Sequence, residues 1–184
     1  MKRPAGPFHT ARLLLRPFTT DDLDAFQAMH GSEDVTRYLD YTPRSREESA
    51  AMLERISAMT AIDADRQALR LAAVLPETGQ VIGDFSLWTG ADQTQGEIGF
   101  VLHPDHQGQG YALEAARELL RIGFEEVDLH RIVGRCDAGN LASARLMERL
   151  GMRREAHFRE NEKIKGAWTD GLVYAILASE WLVR

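Results

Sequence analysis

Six residues constrain this chain more than any others: Gln107-Gly108-Gln109-Gly110-Tyr111-Ala112. Before them runs Glu97 to His103, apolar and closed by Pro104, which predicts a strand. After them Leu113, Ala116, Leu120, Phe124 and Val127 recur at steps of three and four, which predicts a helix with one buried face. The glycines permit tight backbone geometry, and a helix starting near Tyr111 leaves its first N–H groups without internal partners. Those groups sit at the positive end of the helix dipole, an arrangement that suits a diphosphate. Side chains at 108 and 110 would hold a phosphate away.

Three readings stand for the loop. It is a plain glycine turn, a dinucleotide-binding turn, or a cradle for another diphosphate, the last specified by the resemblance given below. The dinucleotide fingerprint lacks its third glycine, since Leu113 occupies that place, and no Gly-Lys-Ser/Thr follows to make a P-loop.

The rest of the chain reads as alternating strands and helices. Residues 1–8 form a tail. Ala11 to Phe18 reads as a strand ending at Pro17, and Thr19 to Asp22 starts a helix with Leu23, Phe26 and Met29 on one face. Ser45 and Glu48 make a capping box for a second helix carrying Met52, Ile56 and Met59. Leu69–Leu75 and Val81–Trp88 read as a hairpin about the turn at Pro76-Glu77-Thr78-Gly79. Arg131–Asp137 reads as a strand, Asn140 as the N-cap of a short helix, and Gly151 as its left-handed terminator. Two last strands fall near 154–160 and 170–178, with a turn at Lys165-Gly166.

Bulk properties remove whole classes of function. Twenty-two basic residues against twenty-eight acidic ones give a net charge of -6, the wrong balance for a general nucleic-acid binder. No stretch is long and apolar enough to span a membrane, and no secretory signal stands at the N-terminus, so a cytoplasmic protein with no membrane partner is expected. The one cysteine, Cys136, permits no internal disulfide and lies in an apolar run, as a quiet core thiol would. The six histidines show no metal spacing, so no metal site is expected.

Taken together, four motifs in order resemble the GNAT N-acetyltransferase superfamily. Gln107-x-x-Gly110-x-Ala112 is similar to its pyrophosphate signature, and Val101-Leu102-His103-Pro104 ends a strand placed like its fourth. Asn140-x-x-Ser143, followed by Leu150-Gly151-Met152, resembles its next cofactor-binding element. Thr10 to Pro17 and Glu160 to Asp170 resemble the Rim-type branch, which acetylates N-termini of ribosomal proteins. The resemblance implies an α/β fold over residues 9–184: a mixed, mostly antiparallel seven-stranded sheet flanked by four helices and splayed between strands 4 and 5. It implies acetyl-CoA as co-substrate and a primary amine as acceptor: a protein or peptide N-terminus, an amino acid or a small amine. A monomer or a homodimer suits it equally.

The resemblance also assigns roles. Gln107, Gly108, Gln109, Gly110, Tyr111 and Ala112 would hold the diphosphate. The pantetheine arm would lie along Phe100, Val101 and Leu102 like an added strand, and a backbone N–H there would face the thioester oxygen. Asn140 would touch the same arm, and Ser143 and Arg145 on its helix could face the cofactor. Glu97, Glu160 and Glu162 are the candidates for accepting the amine proton, directly or through water. Many members of the superfamily carry a tyrosine acid seven residues after the asparagine; here that position is Met147, so Ser143 or a water it holds becomes the proton donor. The missing tyrosine also keeps open a non-catalytic acyl-CoA-binding or sensing module on the same fold.

Overall fold

The computed structural model describes residues 6–62 and 67–183. Its centre is one sheet in the order β1-β2-β4-β5-β6-β7-β9-β8, with β3 on the free part of β4. The strands are β1 (Phe8–His9), β2 (Leu14–Pro17), β3 (Thr60–Ile62), β4 (Gln67–Val74), β5 (Val81–Thr89), β6 (Gln95–Leu102), β7 (Arg131–Asp137), β8 (Arg153–Ile164) and β9 (Ala167–Leu177). Every pairing is antiparallel except β6 with β7. That single parallel step needs a crossover, and the loop and helix after β6 supply it.

Two hydrophobic layers cover the sheet. On one face α4 (Tyr111–Arg121) and α5 (Leu141–Arg149) lie over Leu15, Phe85, Leu87, Ile98, Ile132 and Tyr174. On the other, α1 (Leu23–His30) and α3 (Arg46–Ile56) lie over Ala72, Val74 and Val81. Hence Val81 to Phe85 of β5 are buried without alternation, as a strand covered on both sides must be. The predicted face of α4 is present and wider than read: Ala115, Ala116, Leu119 and Leu120 are all fully buried. The helix ends at Arg121 and continues as a π-helical turn, Ile122–Glu126, which carries Phe124 and Val127 into the same core.

The sheet is richer than the seven strands and four helices expected. The added strands are β1 and β3, of two and three residues, and the added helices are single turns, α2 (Glu33–Thr36) and α6 (Ala178–Trp181). Such short pieces carry too few residues to show a period. Phe8, read as the end of a tail, pairs with Leu15; the tail's first five residues lie outside the described ones. The last hairpin turns at Lys165-Gly166, both at positive φ, but its strands extend to the turn as a two-stranded arm. Bulges between Arg154 and Ala156 and between Phe158 and Glu162 break the alternation on this edge strand. Among the described residues no helix is long and apolar enough to cross a membrane.

Candidate active site

β6 and β7 pair only from Gln95↔Arg131 to Ile98↔Gly134. Beyond Ile98 the two strands diverge, which is the splay expected between strands 4 and 5 under the shorter strand count. The His103 N–H donates to the Ile82 carbonyl of β5 at 2.8 Å. Antiparallel ladders alternate, so the backbone groups of Phe100 and Leu102 turn away from β5, toward the opened gap. A strand edge whose donors and acceptors are not paired with a neighbouring strand is what an extended amide-bearing ligand can pair with.

The loop continues this edge. Pro104–His106 forms one 3₁₀ turn, and the Gln107 side-chain amide donates back to the Leu102 carbonyl at 3.2 Å. Gly108 stands at φ +74° and Gly110 at φ +85°, the left-handed region that costs other residues roughly 1–2 kcal/mol. Among the described residues beyond its chain neighbours, nothing lies within 4 Å of where a Gly108 Cβ would be, so the space there is open to a ligand. Gly110 is the N-cap of α4, and the N–H groups of Tyr111 and Ala112 begin that helix. The loop therefore fits a diphosphate by backbone alone.

A latch from the other end of the chain holds this loop. Nothing in the sequence pattern marks it beyond the likeness of Thr10–Pro17 to a family segment. Arg12 reaches α4: its Nε donates to Glu114 Oε2 at 2.7 Å and its Nη1 to the Gln109 carbonyl at 3.0 Å. Its guanidinium lies 4.5 Å over the Tyr111 ring. The backbone N–H of Arg12 and the Thr10 hydroxyl also donate to Glu114, at 2.7 and 2.6 Å. Partial burial favours the neutral acid, but these hydrogen bonds outweigh it and hold the Glu114 carboxyl below its usual range.

Asn140 is the N-cap of α5, its Oδ1 accepting from the Ser143 N–H at 3.1 Å. Met147, at the place where a tyrosine would donate, is fully buried; its sulfur lies 2.5 Å from where a Gly134 Cβ would stand, so it packs onto β7. Arg145 is exposed and borders a separate hollow of about 270 Å³ beside Glu148, Arg154 and His157.

On the α1 side of the splay lies a cavity of about 670 Å³. Gly99, Phe100 and Val101 of β6 form one wall, Cys136 and Asp137 of β7 another, and the β8–β9 arm the roof. At the arm's tip the Lys165 ammonium donates to the Thr36 carbonyl at the end of α2. Of the three predicted glutamates, Glu97 and Glu162 line the cavity. Glu97 is already paired with Arg135 at 3.1 Å. Glu160 lies on the exposed bulge of β8, outside the lining, at φ +46°. Cys136 is half-buried; burial, with Asp137 nearby, pushes its thiol up to about 11, which keeps it protonated and unreactive.

Four polar residues that carry no motif in the sequence occupy the cavity's inner end. Asp84 of β5 accepts two bonds from Arg70 of β4, at 2.8 and 2.5 Å, and lies 3.0 Å from His30 Nε2. His30 Nδ1 lies 2.6 Å from the Tyr41 hydroxyl. Burial favours the neutral acid at Asp84, yet Arg70 and His30 prevail and hold it at about 2. Burial pushes the Tyr41 phenol up to about 12 despite Arg44, whose guanidinium sits 4.1 Å over its ring.

Comparison with known proteins agrees with this geometry. The Acetyltransferase (GNAT) domain family matches residues 12–153. An uncharacterized N-acetyltransferase, YnaD, from Bacillus subtilis (strain 168) is 32% identical over 172 residues, covering 94% of this chain and 97% of its own. The crystal structure of a GNAT-family acetyltransferase from Bacillus anthracis superposes with a TM-score of 0.84 at 30% identity, over 94% of this chain and 98% of that one. A ribosomal L7/L12 alpha-N-protein acetyltransferase in complex with coenzyme A shares the fold, with a TM-score of 0.81 at 19% identity over 93% and 97% of the two chains. The strand edge, the glycine loop and these likenesses converge: the chain belongs to the GNAT family of N-acetyltransferases.

Proposed function

We propose that this chain transfers the acetyl group of acetyl-CoA to a primary amine held in the cavity between β6, β7 and the β8–β9 arm. The observation that carries the reading is continuity: the opened edge of β6 runs from the cavity wall at Phe100 and Val101 directly into the glycine loop. A diphosphate on the N–H groups of residues 108–112 leaves a pantetheine arm to pair with Phe100 and Leu102, and its thioester then reaches the cavity. Asn140 borders the arm from α5, and the Ser143 hydroxyl, or a water it holds, supplies the proton for the departing sulfur. Arg145 contributes at most to the outer cofactor surface.

The acceptor side favours a cation. Asp40, Asp84, Glu97, Asp137, Glu162 and Asp170 line the cavity against Arg44, Arg70 and Arg135. Acid in excess attracts an ammonium group, and Glu97 and Glu162 take its first proton directly or through water; Glu160 acts only from outside. An α-amine, with a free pKa near ~8 against ~10.4 for lysine, is the more readily neutralised acceptor. The likeness of the first and last segments to the Rim-type branch supports the same choice.

A matched panel tests the reading: a peptide with a free N-terminus, the same peptide blocked there but carrying lysine, and free small amines. The free N-terminus is expected to have the highest kcat/KM. Preference for the blocked lysine peptide would overturn the α-amine assignment. Reaction with small amines alone would keep the chemistry and remove the peptide acceptor.

A further inference from the structure

We infer that Tyr41, His30 and Asp84 form a proton relay in which the Tyr41 hydroxyl touches the acceptor amine and takes up the proton it loses as the amide forms. The inference rests on the amine-acetylating reading above and names the base that reading leaves open.

With a neutral imidazole at His30, the neighbouring groups set every hydrogen-bond direction. Asp84 is ionised, with Arg70 on both its oxygens, so it only accepts. His30 Nε2, 3.0 Å away, must therefore carry a proton. In the neutral imidazole Nδ1 is then a bare acceptor, and the Tyr41 hydroxyl at 2.6 Å donates to it. Asp84 and His30 are both almost fully buried, while Tyr41 is part-buried and lines the cavity. A buried carboxylate orients an imidazole, and the imidazole's other nitrogen holds a hydroxyl at a cavity wall. This is the order of parts in hydrolase triads, with a phenol in place of the serine.

Position supports use. Asp84 stands directly across from Val101 in the β5–β6 register, one strand from the edge proposed to carry the thioester. The phenol is too weak an acid to be the base itself, so Tyr41 conducts and His30 accepts. The charged and titratable groups facing His30 are Asp84 from β5, Arg70 behind it from β4, Tyr41 from the segment before α3, and Arg44 over the Tyr41 ring. The Phe26 ring covers the imidazole at 4.1 Å and keeps water off it.

The step balances as follows. The neutral amine nitrogen bonds to the acyl carbon, and the carbon–sulfur bond breaks with its electron pair on sulfur. The nitrogen's surplus proton passes to Tyr41 Oη as the hydroxyl proton passes to His30 Nδ1. The thiolate is protonated through Ser143 or water. His30 then returns its proton through Tyr41 to cavity water, and the relay is restored.

The test uses Tyr41→Phe, His30→Gln and the double variant, with kinetics on the best acceptor, thermal shift with CoA and ¹⁵N spectra of the histidine ring. Each single variant is expected to lose roughly a hundredfold in kcat, within the range of general acid–base catalysis, at unchanged CoA affinity. The double variant is expected to lose no more than either single one, because the residues act as a unit. In the wild-type protein the ring spectrum should show a protonated Nε2 and a hydrogen-bonded, bare Nδ1, perturbed by Tyr41→Phe. A wild-type kcat in Tyr41→Phe, multiplying losses in the double variant, or a proton on Nδ1 in place of Nε2 would each overturn the relay alone. A wild-type protein that binds CoA and acetylates no amine would instead overturn the reading on which it rests.

Discussion

The two ends of the cleft are made of different materials. The end proposed for the cofactor is built mainly of backbone: a strand edge, two glycines at positive φ and the start of a helix, all within residues 99–112. The end proposed for the acceptor is built of side chains from α1, β4, β5, β7, the segment before α3 and the β8–β9 arm. In the proposed reading the first arrangement recognises what every acyl-CoA shares, an amide-bearing arm and a diphosphate, and the second recognises one acceptor through side chains that lie apart from the loop. The two ends should therefore fail separately under mutation, which makes the division measurable.

The largest effect is expected at the acceptor end, on stability. Asp84→Ala removes the buried carboxylate shared by part-buried Arg70 and buried His30, and breaking a buried ion pair costs about 3–5 kcal/mol. Denaturant unfolding measures it. The pH dependence follows from the same pair. The Asp84 carboxyl is lower in the folded protein than in the unfolded chain, so its contribution is complete above the unfolded value near ~3.9. It is lost as pH falls toward the folded value of about 2. Wild-type stability should drop across that acidic window, and the part of the drop due to Asp84 should be missing in Asp84→Ala. A neutral-pH cost below ~1 kcal/mol would mean that Arg70 finds water or another partner instead.

The next effect belongs to the proposed cofactor end and costs stability only the roughly 1–2 kcal/mol of a side chain at positive φ. Gly110→Asp places a Cβ 3.3 Å from Arg12 Nη2 and a carboxylate at the loop proposed to hold the diphosphate. CoA affinity should fall by more than about a hundredfold, ~2.7 kcal/mol, seen as loss of the ligand-induced rise in melting temperature. A folded Gly110→Asp protein with wild-type CoA affinity would detach the loop from the cofactor.

The same division governs what the sequence makes legible. The loop, the strand before it and the Asn140 cap are contiguous, so pattern and turn chemistry expose them. His30, Arg70 and Asp84 are far apart in sequence, and each looks ordinary alone. One local signal exists: Arg70 and Asp84 are opposite charges inside two apolar runs that read as a hairpin, Leu69–Leu75 and Val81–Trp88. Opposite charges on adjacent strands of one hairpin are candidates for pairing, and here they meet diagonally, Arg70 opposite Ser86 and Asp84 opposite Ala72. The reach of the β8–β9 arm is hidden for a different reason. Nearly all of β8 is exposed, so no apolar alternation marks how far it runs.

The smallest effect is the sharpest test, because it concerns a residue that belongs to neither end by sequence. Arg12 is half-exposed, and an exposed ion pair contributes at most about 1 kcal/mol to folding. Its partners are another matter. Glu114 fixes the first turn of α4, the Gln109 carbonyl fixes the peptide before Gly110, and the Tyr111 ring lies under the guanidinium. One side chain thus holds three points around the N–H groups assigned to the diphosphate. Releasing it should leave the fold intact and let the loop wander, so that binding must order it again. Arg12→Ala is accordingly expected to weaken CoA roughly tenfold, ~1.4 kcal/mol, with a smaller change in stability. The alternative is that Arg12 attracts the diphosphate by charge alone. Arg12→Lys separates the two, since it keeps the charge and loses the planar fork that reaches Glu114 and Gln109 together. If the latch is geometric, Arg12→Lys binds CoA about as weakly as Arg12→Ala, and calorimetric titration at low and high salt gives the same ratio to wild type. Recovery of wild-type affinity by lysine, fading with salt, would make Arg12 a counter-ion instead. The cofactor end would then depend on a side chain after all.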